Sequence, residues 1–467
     1  MKFLFLACFC ASSVCAMDFG DYFLDKTMRV DYFHMGNATE EHLKVDRIVS
    51  DGPWHGSKKN LIDPLQYGHY LCELHASDGT VLFTYGFATI FGEWQTTGEA
   101  RKGYGNFHES LRFPWPKAPV DLVLKKRDAQ NKFQPLWRTK IDPKARHVNP
   151  TDLVSQYTTH KILDNGPPEN KVDLLILGDG YTAGQMEKFH GDAARLTDAL
   201  FRESPFRERK ADFNVYLIDT PSAQEGVSRP HENVYKRSAL TTHYSSFDSQ
   251  RYVLNYDNRK LREIAGAVPY EYMVILVNEK TYGGGGIFRW QATAAADNLL
   301  ADYLFVHEFG HHFAALADEY YTSSIAYELS EDITVEPWEP NLTALIDPAN
   351  LKWKDMLTEG IPLPTPWEKE VFEEKSRAVQ VKRNAMREAQ ASESEMNVLF
   401  SNQKTYETKL LSGMAWSGKV GAFEGAGYRQ KGYYRPEADC LMFTRDDVGF
   451  CKVCSRAITG VINFYSR

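Results

Sequence analysis

The chain has no excess of positive charge: 54 Lys and Arg stand against 62 Asp and Glu, for a net charge of −8. With neither a basic excess nor a long basic run, broad affinity for nucleic acid or anionic membrane is not expected. Beyond the first residues no stretch reaches the roughly 18 apolar positions needed to span a bilayer, so no membrane span is expected either. Internal repeats and low-complexity tracts are absent. Cysteine is scarce, at seven in 467 residues. Apolar and aromatic residues, by contrast, are plentiful at 43% and 13%. A chain of this length has room for two or three domains, each with its own core.

The opening "MKFLFLACFCASSVCA" reads as a signal peptide over residues 1–16. Lys2 gives the positive start, Phe3 to Cys10 the apolar stretch, and Val14-Cys15-Ala16 the small residues before cleavage. The mature chain is then expected to start at Met17 and to be exported: secreted, periplasmic or at the cell surface. A lipidated cysteine is a weaker alternative, because Phe5 rather than Leu stands three before Cys8. Cleavage would leave Cys72, Cys440, Cys451 and Cys454. In an oxidising compartment Cys440 is expected to pair with Cys451 or Cys454. A zinc site from these three is the alternative, and it needs a fourth ligand.

The pattern along the chain predicts an α+β protein. Residues 17–139 carry short β-rich segments such as "YLCELHA", "TVLFTYGFATIF" and "VDLVLKKR", with a hairpin signal at Ser77-Asp78-Gly79. A β-sandwich-like domain is expected there, serving packing or recognition. The polar segment 140–152, with Pro143 and Pro150, reads as a linker. From 153 to 467 the period changes. "KVDLLILGD" reads as a buried strand, followed by a helix whose start Thr182 and Gln185 can cap reciprocally, then "FNVYLID" as a parallel neighbour. Strands are also expected at 271–278 and 287–295, joined by a flexible glycine-rich hairpin over "EKTYGGGGIF". The charged stretch 367–396 reads as a helical insertion projecting into solvent.

The chemistry lies in "HEFGHHFAALADEYY", residues 307–321, on a helix expected over 299–317. His307 and His311 are four apart, which places them about 40° apart around the axis and about 6 Å apart along it. Two imidazoles so placed can share one zinc. Glu308, turned by about 100°, lies beside the ion, where it can deprotonate a water that the zinc acidifies. His312 falls on another face and is not expected to be a ligand. Asp318 is the first choice for the third ligand, Glu319 the second, and a more distant carboxylate or histidine the third. A straight helix would carry Asp318 about 10 Å beyond His311, so the helix must end or bend near Ala314 to Ala317.

The same stretch resembles the active-site segment of the M64, or IgA peptidase, family of zinc metallopeptidases, within the zincin-like fold. "LLILGDGYTAGQMEKF" is similar to that family's opening strand and helix, and "FEGAGYRQKGYYRPEADCLMF" with "FCKVC" to its C-terminal signature. The likeness covers about residues 170–465, and the N-terminal segment is similar to the domain that precedes the protease. It implies an α/β zincin-like metalloprotease domain with bound Zn2+ and a protein or peptide substrate. His307, His311 and Asp318 would be metal ligands and Glu308 the catalytic base. Met442 would sit in a turn beneath the metal, and Tyr433 or Tyr434 would be a candidate oxyanion donor. The sequence departs from the metzincin pattern at Ala314, where a glycine turn is expected. Two competing readings keep the same fold: a surface binding protein of little activity, and a zinc amidase acting on cell-wall peptides.

Overall fold

The computed structural model describes residues 18–323 and 333–466; the expected signal segment 1–16 lies outside them. The N-terminal part is built from antiparallel strands β1 (Phe23–Gly36), β2 (Glu41–Ser50), β3 (Tyr70–His75), β4 (Val81–Phe87), β5 (Gly105–Pro116), β6 (Val120–Arg127) and β7 (Phe133–Ile141), joined by the short β8 (Val148–Asn149). They form two four-stranded sheets, in the orders β5-β1-β2-β8 and β4-β3-β6-β7. Both sheets contribute to one buried core, including Met28, Val30 and Phe113 from one and Leu74, Leu122 and Leu124 from the other. Along β3, β5 and β6 alternate residues face inward, as a sandwich requires: Tyr70, Cys72 and Leu74; Leu111, Phe113 and Trp115; Val120, Leu122 and Leu124. The Ser77-Asp78-Gly79 signal is the β3–β4 turn, closed by Ala76 N–H donating to Thr80 O at 2.8 Å, with Gly79 at φ 90°. The segment expected as a bare linker holds the end of β7 and all of β8, which pairs in parallel with β2.

The second part is a six-stranded sheet from β9 (Thr159–Leu163), β10 (Val172–Asp179), β11 (Phe213–Ile218), β12 (Tyr272–Val277), β13 (Gly284–Ile287) and β14 (Gln291–Ala295). Its order is β13-β14-β12-β10-β11-β9. The continuous apolar run of β10 has every residue buried, as a central parallel strand needs. It pairs in parallel with β11 and β12. The intervening helix, Met186–Leu200, follows a short turn closed by the Thr182–Gln185 capping box. The helix Ala301–Ala314 packs beside it, and Lys452–Ser466 packs in turn against Ala301–Ala314, with the rings of Phe206, Phe213, Phe309 and Phe313 clustered there.

Three expectations fail here. The single strand over 287–295 is two, β13 and β14, turning at Phe288–Trp290 with Arg289 at φ 52°. Three of the four glycines thought to be a flexible hairpin form β13 itself. The charged stretch does not project into solvent. It is a pair of helices, Lys369–Glu388 and Glu393–Ser412, whose apolar stripe folds back onto the domain: Phe372 stacks near Trp367 and Phe443. A charged composition could not reveal that its thin apolar face had a partner far along the chain.

Candidate metal centre and active-site cleft

The helix Ala301–Ala314 is fixed by its apolar lead-in, with Leu304, Phe305 and Val306 buried. One turn further along, the His307 and His311 rings meet nearly perpendicular, at 88°, with their Nε2 atoms 3.2 Å apart. Their other nitrogens set this orientation. His307 Nδ1 lies 3.2 Å from Leu441 O, and His311 Nδ1 lies 2.5 Å from Leu316 O. A carbonyl can only accept, so each Nδ1 carries a proton and each Nε2 is the atom turned toward the shared centre.

The helix stops at Ala314, short of the expected 317, because Ala315 takes the left-handed conformation at φ 56° and donates to His311 O. Glycine is the usual residue there; alanine is held by the chain that follows. Asn341 clamps Ala317 through both its N–H and C=O, at 2.8 and 2.9 Å. Gly427 N donates to Asp318 O, and Glu319 N to Met442 O. The turn swings Asp318 back so that its Oδ1 lies 3.0 Å from His307 Nε2 and 3.2 Å from His311 Nε2. Three donors held about 2.0–2.1 Å from a tetrahedral zinc would stand about 3.3 Å from one another. The observed triangle has that size. Asp318 Oδ1 is buried without a hydrogen-bond partner, while its Oδ2 accepts from the Tyr428 hydroxyl. Although burial opposes it, the two imidazoles hold the Asp318 carboxyl well below the usual range. Asp318 likewise outweighs burial to lift His311 to about 9. Such a pocket prefers a positive charge at its centre. Glu308 lies beside it, lining the same cleft; burial raises its carboxyl above the ordinary range, with Asp318 adding and the imidazoles opposing.

A family model described as IgA Peptidase M64 matches residues 160–462, and one described as Peptidase M64 N-terminus matches residues 18–138. The chain belongs to the M64 peptidase family. A search of curated proteins found no match. The resemblance read from the motifs is thereby borne out, as is the order of a β-rich domain followed by a mixed peptidase domain.

In this M64 peptidase the centre opens into a cleft of about 580 Å³ with three walls. The peptidase domain gives His307, Glu308, His311 and Asp318; the sandwich gives His69, Glu93 and Asn131; the helix pair gives Phe372, Gln380 and Gln403. The sandwich is therefore part of the cleft and not only a packing module. The edge of the sheet is β13, and β14 is enclosed between β12 and β13. At Gly284 that edge is already taken by Arg251 O and Val253 N.

Other expectations sort as follows. Glu319, the second choice for the metal, faces away from the histidines and meets Cys454 Sγ at 3.3 Å. Met442 is fully buried, its sulfur against Gly310 of the helix, and its neighbour Leu441 holds His307. His312 is buried and bridges Ile287 O and Met273 N, at 2.8 and 3.1 Å; burial pushes it down to about 3. It is a neutral structural link, as its helical face suggested. Tyr433 lines the cleft, whereas Tyr434 pairs through its backbone with Thr343. Closer in are three tyrosines that the sequence reading passed over. Tyr303 OH is 3.2 Å from His307 Nδ1, Tyr320 accepts from Arg251 at 3.3 Å, and Tyr428 donates to Asp318. Tyr303 was within reach, one turn before His307; Tyr320 and Tyr428 depend on the turn after Ala315. Cys440, expected to pair with Cys451 or Cys454, is unbonded, as are both of those thiols. Among the described residues no helix is long and apolar enough to cross a membrane.

Proposed function

We propose that the protein is an exported zinc-dependent endopeptidase, with His307, His311 and Asp318 as the metal ligands and Glu308 as the general base. The observation that carries this reading is the convergence of three donor atoms within 3.0–3.2 Å of one another, one of them a buried carboxylate oxygen with no hydrogen-bond partner. When bound, zinc supplies a Lewis acid that polarises the scissile carbonyl and lowers the pKa of water. Glu308 takes a proton from the attacking water as its oxygen bonds to the carbonyl carbon. The C–N bond then breaks, and Glu308 hands the proton to the departing amine. A carboxyl raised by burial is suited to both directions of that transfer. Tyr320, whose oxygen already accepts from Arg251, keeps its own proton for the substrate carbonyl oxygen. The cleft walls hold the peptide on either side of the bond. Export rests on the residue pattern of 1–16, and N-terminal sequencing of the secreted protein should begin at Met17.

The decisive variant is Glu308→Gln, assayed on casein and on cell-wall fragments. Cleavage of protein should fall by about 10²–10⁴-fold while bound metal stays unchanged. Undiminished turnover sinks the mechanism, and cleavage confined to cell-wall fragments turns the endopeptidase into an amidase.

A further inference from the structure

A second cluster lies behind the cleft. Cys440, Cys451, Cys454 and Glu319 are all buried, and one donor atom of each lies within 4.8 Å of the others. Glu319 is fully buried, and its Oε2 has no hydrogen-bond partner. Cys440 and Cys454 Sγ stand 3.9 Å apart, nearly twice the roughly 2.05 Å of a disulfide. Sulfurs at about 2.3 Å from a tetrahedral zinc would stand about 3.8 Å from one another, and a carboxylate oxygen about 3.5 Å from each sulfur. The observed 3.9 Å, and the 3.3 Å from Cys454 Sγ to Glu319 Oε1, have that scale. Backbone N–H groups point at the sulfurs: Cys451 N and Met442 N at Cys440 Sγ, 3.3 and 3.5 Å away, and Cys454 N at Cys451 Sγ, 3.4 Å away. Such donors favour thiolates, the form that binds metal. Any disulfide here would strand a third thiol and a buried carboxylate together. The buried guanidinium of Arg435 interacts with both Glu319 and Cys440 and offsets part of the negative charge.

We propose that Glu319, Cys440, Cys451 and Cys454 form a closed structural zinc site, separate from the histidine centre. Its four ligands come from three pieces of chain: the turn carrying Asp318, the loop whose Leu441 O holds His307, and the start of the C-terminal helix, with Cys451 just before Lys452–Ser466 and Cys454 in its first turn. A metal there pins the third ligand and the orienting carbonyl of the histidine centre to one rigid point.

Cobalt substitution of the full chain tests this, because a thiolate-to-cobalt charge-transfer band requires sulfur and the histidine centre has none. The band should be present in the full chain, persist in His311→Ala and disappear in Cys440→Ser, with about two metal equivalents per chain falling to about one in His311→Ala. Absence of the band in the full chain overturns the proposal, as does a band unchanged in Cys440→Ser. Should Cys440→Ser fail to fold, zinc-edge anomalous scattering from crystals of the full chain decides instead. A peak among the three sulfurs supports the site, and a peak at the histidines alone overturns it.

Discussion

Two histidines and a glutamate at fixed spacing state their chemistry on a helix before any tertiary structure is known, because the helix alone sets their separation. Asp318 is different: its place depends on a left-handed alanine that nothing local favours and on Asn341, Gly427 and Met442, which lie 24 to 123 positions from the residues they hold. Local pattern therefore ranked Asp318 ahead of Glu319 but could not supply the turn that brings it to the histidines. Tyr428 belongs to the same class, unreadable from spacing yet in contact with the carboxylate. Its hydroxyl donates to Asp318 Oδ2 and so leaves Oδ1 free for the centre. Tyr428→Phe keeps the ring and removes the donor. Metal affinity or activity should drop about 10–100-fold, with the unfolding midpoint little changed. Equal zinc affinity in a competition titration against a chelator would show that the hydroxyl does not orient the ligand.

At the scale of elements, strands with continuous apolar runs were plain in the sequence because burial on both faces admits little else; β10, β11 and β12 all lie within a residue of where they are expected. Glycine misled, because its absence of side chain has two uses. "GGGG" reads as flexibility, whereas here it is thinness. A Cβ on Gly286 would stand 2.3 Å from Glu308 O and 2.9 Å from His311 Cβ, and one on Gly284 would stand 3.1 Å from Glu308 Cγ. Only a strand without side chains can lie this close to the helix that carries the centre. Gly286→Ala must push the strand off that helix, and overpacking of this kind costs about 1–3 kcal/mol or more. Both the unfolding midpoint and zinc content should fall. Gly184→Ala, where an added Cβ meets nothing within 4 Å, is the control. If the two variants behave alike, closeness is not the reason for the glycines.

At the scale of the whole molecule, the sandwich could be recognised from its turn signals, but its share in the cleft could not, since no short motif records which faces of two domains will meet. The meeting point is the β13–β14 turn. Ala88 N donates to Phe288 O, and Tyr85 OH to Arg289 O at 3.3 Å. Ile90, Phe91 and Trp94 share a buried cluster with Phe288, Trp290 and Ala315, so the residue that ends the site helix belongs to the cluster that joins the two domains. At the centre of the joint, Arg289 pairs with Asp63 at 2.5 Å, both about 1% exposed. The sandwich also holds two histidines that burial depresses to about 4, His55 and His69, the first aided by Arg112 and the second by Lys126. Above the unfolded value of 6.5 neither state takes up these protons and their contribution to stability is complete. As pH falls from there toward 4 the unfolded chain gains protons that the fold refuses, so stability drops by up to about 1.4 kcal/mol per pH unit for each group. The change in urea midpoint from pH 7 to pH 5 should be less destabilising in His69→Phe than in the parent chain, since only the His69 contribution differs between them; an equal slope in the variant would remove His69 from the account.

The Arg289–Asp63 pair makes the coupling between the domains testable. Removing the guanidinium leaves Asp63 as an uncompensated charge in a dry interface, and breaking a buried pair in this way costs about 3–5 kcal/mol. If the sandwich merely rode on the peptidase domain, Arg289→Ala would lower the melting temperature and leave catalysis by the surviving folded protein unchanged. Here the same joint places His69, Glu93 and Asn131 along the cleft and backs Ala315 at the turn that delivers Asp318. The variant should therefore raise KM for long peptides more than for short ones, well below its melting temperature, with zinc content measured alongside. The double variant Arg289→Met/Asp63→Leu removes both charges and refills the space. It should recover most of the stability and, if docking geometry is what the pair secures, the long-peptide KM with it. Stability regained without KM would mean that the charge pair itself, and not the seating of the sandwich, shapes the cleft.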